Sequence, residues 1–284
     1  MALRDDLLLA HVFPEQRQRF SRRDAILYAL GVGLGRDPLD AADLAFLLED
    51  RLIVLPTFAV TLGSPGMWIK APQFEADHAK LLHYEQSAQF LAPLPPEAEI
   101  ASRARVVSVT DRGAGRGAIV VVEREIRDAT SATRYCSLEQ TLLLRADGGF
   151  GGPATPQTPS VLPGRDPDAQ ASFATDPRAA LIYRLSGDWN PLHADPEAAR
   201  RGGFDQPILH GLASYAIAGV AVARACGLAP EKVTALRARF TGVVFPGDTL
   251  AFRIWREPGR AFFQGFVGDR KTLDQGFVAF GGEA

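Results

Sequence analysis

Apolar residues recur along this chain at two different spacings, and the change from one to the other marks its elements. From Ile100 to Thr110 and from Ala118 to Arg127 they alternate with polar residues and are rich in Val and Ile, as in half-buried strands. Strand signals of the same kind lie at Thr57 to Leu62, Leu81 to Phe90 and Tyr135 to Leu144. A second set follows at Leu236 to Val244, Thr249 to Trp255, Ala261 to Val267 and Gly276 to Phe280. Ser21 is placed to N-cap a helix through Ala25-Ile26-Leu27-Tyr28-Ala29-Leu30 that ends at Gly31. Ile208 to Cys226 carries Leu, Ala and Ile around its whole circumference, which predicts a buried helix. Between the two sets, residues 146–170 collect Gly and Pro with almost no apolar period, so they read as a linker. The expected units are therefore 1–145 and 171–284, each with helix followed by strands. Spacing alone leaves a duplicated fold and two dissimilar units equally open.

Composition narrows the class. A chain of 284 residues, 46% apolar and 23% charged, can fill one large core or two ordinary ones, which excludes a disordered chain. Its formal charge of -2, with Lys and Arg scattered, gives no cationic face for nucleic acid. Asp5 and Asp6 stand where a secretory leader needs positive charge, and Leu7 to Ala10 is too short for a leader core or a membrane span. Residues 281–284 lack the Ser-Lys-Leu type of peroxisomal address, so a soluble, cytoplasmic chain without a membrane partner is expected. Cys136 and Cys226 are too few for a disulfide framework and form no CxxC pair, so no metal or redox cofactor is expected.

The segment before the buried helix carries the candidate chemistry. Asp176-Pro177 and Asp195-Pro196 each join an N-cap residue to a proline at the first helical position, predicting two short helix starts. The first of these helices should stop at Gly187. Between them, Pro191 drives Asn190 out of the α region, so Asp188 to Ala194 is an irregular connection. On a helix, Asp188 and His193 would diverge by about 140°; on a bent segment they can meet at one water. Other roles stay open for these residues. Asp188 and Asn190 are also the types that cap helices and close turns, and Gly211 can be a close-packing glycine. His210, in an apolar run, reads as a buried structural histidine. Gly31-x-Gly33-x-Gly35 follows a helix and lacks the spacing of a dinucleotide loop, so it reads as a helix stop.

The string Tyr183-Arg184-Leu185-Ser186-Gly187-Asp188-Trp189-Asn190-Pro191-Leu192-His193-Ala194-Asp195, followed by Pro207-Ile208-Leu209-His210-Gly211-Leu212, resembles the signature of MaoC-like and hydratase 2 proteins. Arg239-Phe240 and Phe245-Pro246-Gly247-Asp248-Thr249-Leu250 extend the likeness. In the first half, Tyr28-Ala29-Leu30-Gly31-Val32-Gly33, Leu55-Pro56-Thr57-Phe58 and Leu81-Leu82-His83-Tyr84-Glu85-Gln86 resemble the hydratase 2 domain of peroxisomal multifunctional enzymes. The resemblance implies an α+β double hot-dog fold, two helix-on-antiparallel-sheet units in one chain. It implies that the second unit is catalytic, that the first accommodates the acyl chain, and that the chain forms a homodimer. The implied activity is (R)-specific hydration of trans-2-enoyl-CoA to (3R)-hydroxyacyl-CoA, with the CoA thioester as substrate and no cofactor. By the same resemblance Asn190, His83, Arg116, Phe240 and Gly242 are substrate contacts. Two departures stand out: Tyr84 replaces a glycine after the histidine, which puts chain-length preference in doubt, and Arg116 stands where lysine is common.

The reaction so implied needs two sub-sites. Negative charge must be accommodated on the thioester oxygen, and Gly211 opens the buried helix, where backbone N–H groups lack partners and the dipole favours an anion. A water must be held over Cβ by groups that exchange protons, and Asp188 and His193 are of the right types. Which of them takes the first proton is undetermined, and they are treated as a coupled pair. A thioesterase, a dehydratase acting on acyl carrier protein, and an acyl-CoA binding protein are the competing readings.

Overall fold

In a computed structural model that describes residues 3–156 and 159–281, the first half runs α1 (Asp5–Leu9), β1 (Gln16–Phe20), α2 (Arg22–Val32), α3 (Ala41–Leu44), β2 (Leu81–Phe90), β3 (Ala98–Asp111), β4 (Ala118–Asp128) and β5 (Arg134–Leu144). The second half runs β6 (Ala169–Ala174), α4 (Ala179–Tyr183), α5 (Pro196–Arg201), α6 (Gly211–Ala225), β7 (Val233–Phe240), β8 (Thr249–Glu257), β9 (Arg260–Val267) and β10 (Arg270–Phe280). Residues 157 and 158 of the expected linker lie outside the described residues, as do positions 1, 2 and 282–284.

The strands form one antiparallel sheet in the order β1-β3-β4-β5-β2-β7-β10-β9-β8-β6. Its two halves meet edge to edge where β2 pairs with β7, from Glu85 opposite Arg239 to Gln89 opposite Ala235. With helices against each half, this is the double hot-dog arrangement. Joining the halves at β2 and β7 gives both strands a ladder partner and leaves only β1 and β6 as sheet edges.

The long helix α6 is buried from Ala213 to Ala223, which is why its sequence shows no polar face. It lies close to β7: a Cβ on Gly219 would stand 3.1 Å from Leu236. At the near end of the first half, Ser21 and Asp24 make a reciprocal capping box at the start of α2. That helix ends at Gly33, in the left-handed region at φ 103°, two residues beyond the expected stop. Gly31 instead faces α4, where a Cβ would come within 3.0 Å of the Tyr183 Cα. So the glycine read as a helix end is the point where the first half's helix meets the segment carrying Asp188.

Other expectations differ from the structure for identifiable reasons. Thr57 to Leu62 is not a strand: Pro56–Thr61 is a 3-10 helix, with Thr57 to Val60 all buried. Its β-branched residues mimic a strand, while Pro56 fixes a helical start and burial on every side removes the alternation. The strand β1, Gln-Arg-Gln-Arg-Phe, was invisible because it has a single buried residue, Phe20, and is held by ion pairs such as Arg19 with Glu99 at 2.9 Å. Ala169 and Gln170, assigned to the linker, begin β6. The helix after Asp176 starts at Ala179, with the Asp176 carboxylate accepting from the Arg178 N–H. Among the described residues no helix is long and apolar enough to cross a membrane.

Candidate active site

After α4 the chain makes one further 3-10 turn and stops at Gly187, whose φ of 114° lets it reverse into the bent segment. From here the local hydrogen bonds are those of successive Asx turns. The Asp188 Oδ1 accepts from the Asn190 N–H at 3.2 Å, and the Asn190 Oδ1 accepts from the Leu192 N–H at 3.1 Å, capping the 3-10 turn Pro191–His193. Asp188 and Asn190 thus do hold the turn, and the turn brings Asp188 and His193 together. Donor atoms of Asp188, His193 and His210 all lie within 4.8 Å of one another.

His193 is 8% exposed and fixed from behind. Its Nδ1 is 2.8 Å from the Ile208 carbonyl, which can only accept, so Nδ1 carries the proton and Nε2 is left as an acceptor. Burial lowers its pKa below the ordinary 6.5, against smaller upward pulls from the Ile208 carbonyl and Asp188. The imidazole is therefore neutral at neutral pH and able to take a proton. His210, the N-cap of α6, stacks on it with ring centroids 3.7 Å apart and planes at 25°. The His210 Nε2–H donates to the Asp188 carbonyl at 3.3 Å, pinning the backbone that carries the carboxylate. Burial and the His193 ring lower the His210 pKa to about 4.

His210 is the residue that sequence reasoning left out of the site. Its signal was its position immediately before Gly211, which places any N-cap side chain over the helix tip. Asp188, His193 and His210 also make up a metal-binding donor set. However, two of their ring nitrogens already hold protons aimed at carbonyls, and stacked rings send their lone pairs along near-parallel planes. That arrangement suits a bound water better than a tetrahedral ion.

The remaining candidates divide into two groups. Gly211 opens α6 against the Phe240 ring, where a Cβ would stand 3.2 Å from the ring edge, and His83 meets the same ring edge-to-face at 4.9 Å. The His83 Nε2 is buried with no partner among the described residues. Burial takes its pKa down to about 4, with Asp188 near enough to oppose the shift. Gly211, Phe240 and His83 thus pack together at the tip of α6, where the N-cap His210 stacks on His193. Gly242 lies beyond β7, where a Cβ would meet the Lys271 carbonyl at 2.7 Å, so its smallness serves the contact with β10. Arg116 is on the exposed β3–β4 turn, donating its N–H to the Gly113 carbonyl at 3.0 Å. Tyr84 packs across the seam, under the Arg239 guanidinium at 5.0 Å.

Three histidines with lowered pKa values make stability depend on pH. The unfolded chain binds protons near pH 6.5 that His83 and His210 refuse in the folded chain until about pH 4, and His193 acts in the same direction, so stability is complete above 6.5 and is lost as pH falls through that window. For His83 alone the loss is about 3 kcal/mol. Calorimetry should therefore give a melting temperature that falls between about pH 7 and pH 5, and falls less for His83→Phe.

A family model described as "MaoC like domain" matches residues 159–275, and one described as "MFE-2 hydratase 2 N-terminal domain" matches residues 19–146. The chain is 38% identical over 292 residues to the peroxisomal enoyl-CoA hydratase 2 of Arabidopsis thaliana, covering 96% of this chain and 94% of that one. Among solved structures, a MaoC-like dehydratase from Phytophthora capsici superposes with a TM-score of 0.83 at 30% identity, covering 98% of this chain and 99% of the other. A Mycobacterium tuberculosis protein described as having a double hotdog fold superposes with a TM-score of 0.54 at 16% identity, over 93% of this chain and 96% of that one.

Proposed function

The chain belongs to the MaoC-like hydratase 2 family of hydro-lyases, and from that premise we propose that it adds water reversibly across trans-2-enoyl-CoA to give (3R)-hydroxyacyl-CoA. The observation that carries this reading is the convergence of the Asp188 carboxylate with a neutral His193 whose Nδ1–H is tied to Ile208. Between them a water is held by one acceptor nitrogen and one carboxylate. As its oxygen bonds to Cβ, the pair takes its proton and the double-bond electrons move toward the thioester oxygen. That oxygen gathers negative charge at the tip of α6, where Gly211 exposes the first N–H groups of the helix. A donor of this kind is worth about 3 kcal/mol of barrier. The electrons then return to Cα, which takes a proton from the same pair, and the elements of one water have been added.

Asn190, beside Asp188 on the turn, positions the water or the thioester. Phe240 and His83 form the wall against which the thioester lies, and Gly242 keeps the adjoining backbone close. Arg116 stands on the turn at the end of the sheet where β2 begins, since Leu81 pairs with Leu144 and Leu144 with Ala118, and there it offers a cation to a CoA phosphate. In this reading residues 1–145 accommodate the acyl chain, residues 171–284 carry the chemistry, and the enzyme is a cytoplasmic homodimer that needs no cofactor.

Incubation with a trans-2-enoyl-CoA should remove its enoyl absorbance, and chiral analysis should find the 3R alcohol. Release of free CoA thiol, read with a thiol-reactive dye, would make it a thioesterase instead, and an S product would overturn the stereochemistry. Competition between CoA and carrier-protein substrates decides which carrier is natural.

A further inference from the structure

The floor of the first half's sheet holds a cation that the hydration chemistry does not use. Arg124 on β4 lies in the same face as Val122, and the register places Val122, Gln140 and Gln86 in one row and Arg124, Leu138 and Ala88 in the next. A cavity of about 60 Å³ opens over these rows, lined also by Val60 and by Leu212, the residue after Gly211. Several times the volume one water needs is available.

Within that cavity Arg124 spends one donor on the Val60 carbonyl at 2.7 Å. Its other N–H groups have no hydrogen bond, and no carboxylate pairs with it, among the described residues. Burial lowers its pKa to about 10, which still leaves it charged at neutral pH, and the neighbouring Cys136 thiol is pushed up to about 12 and stays neutral. The site is also within electrostatic reach of the reaction centre, because His83 is influenced by Asp188 and by Arg124 together.

Such a space does not suit the methyl end of a plain acyl chain. It would leave a half-buried guanidinium without a counter-charge in a confined space, an unfavourable arrangement for an ion that has given up much of its water. A carboxylate there would take two parallel N–H donors of the guanidinium fork, while Val60, Val122 and Leu138 contact the methylenes leading to it. We propose that this cavity receives the far end of the acyl chain, and that the enzyme is matched to trans-2-enoyl-CoAs whose terminal carbon carries a carboxylate. The inference rests on the hydration reading given above and names its substrate class.

The test compares kcat/KM for medium-chain trans-2-enoyl-CoAs, at each length with and without a terminal carboxylate. At the length that reaches Arg124, the carboxylated substrate should be favoured about ten- to a hundred-fold, the range expected for hydrogen bonds to a charged group. Arg124→Gln should bring that ratio to about one, and Arg124→Lys should keep part of it. Should Arg124→Gln fail to fold, titration calorimetry on the unaltered enzyme with the saturated analogues gives a second reading, in which the carboxylated one must bind more tightly. A ratio of one or less at every length, with the plain chains hydrated, overturns this inference and leaves the hydration reading standing. Absence of hydration for both kinds of substrate removes the hydration reading, and this inference with it.

Discussion

Replacing Asp188 by Asn or His193 by Gln is expected to lower kcat for enoyl-CoA hydration by about 10² to 10⁴, the usual contribution of a positioned proton-exchanging group. In the proposed mechanism the two substitutions act on one water, so the double variant should be little worse than the more damaging single one. Independent losses that multiply would show that the two side chains do not work as a unit. Asp188 is exposed, so Asp188→Asn should leave the melting temperature close to that of the unaltered protein. His193→Gln also removes the ring that stacks on His210, and a small loss of stability should accompany its loss of activity. The pH profile carries a further signature. In the proposed mechanism activity needs a neutral His193, whose folded pKa lies below 6.5, so the acid limb of kcat/KM should fall at a lower pH than for an ordinary histidine. An acid limb at or above 6.5 would mean that His193 is not the group being titrated.

How far the sequence revealed this site depends on how local each feature is. Asp188, Asn190 and His193 sit on one short turn whose Pro and Gly punctuation is written in the chain, so both the bend and the convergence could be anticipated. The strands with alternating burial were legible for the same reason, and so was α6, because burial all around leaves an apolar run. What could not be anticipated depends on contacts between distant segments. Gly31 looks like a helix stop until Tyr183 is seen packed against it. Arg124 looks like the polar half of an alternating strand until Val60 closes over it and no acid among the described residues pairs with it. His210 is the buried, hydrogen-bonded structural histidine that its apolar run suggests, but one strand of text cannot show its ring stacked on another seventeen positions away.

The buried ion pair between Asp43 and Arg224 is of this distant kind, and its removal is the largest stability effect expected. Asp43, on α3, is 6% exposed, and its Oδ2 accepts from the Gly35 N–H at 2.7 Å while Oδ1 faces the Arg224 guanidinium. Arg224 stands in the last turn of α6, where a positive charge also suits the helix dipole. Asp43→Ala strands a backbone N–H and a partly buried guanidinium together. Breaking a buried pair from one side costs about 3 to 5 kcal/mol, although the one-third exposure of Arg224 argues for the lower end of that range. A loss of about 3 kcal/mol should lower the melting temperature by roughly 5 °C or more in a chain of this size. Arg224→Ala made in the same background should then cost much less than it does alone, since the two residues share one interaction. The pair ties the irregular part of the first half to the far end of α6, and Gly211 is at the other end of that helix. Near room temperature, therefore, Asp43→Ala should leave turnover close to normal while unfolding comes earlier. A variant that melts within a degree of the unaltered protein would mean that the carboxylate is hydrated and that α6 is held by its apolar contacts alone.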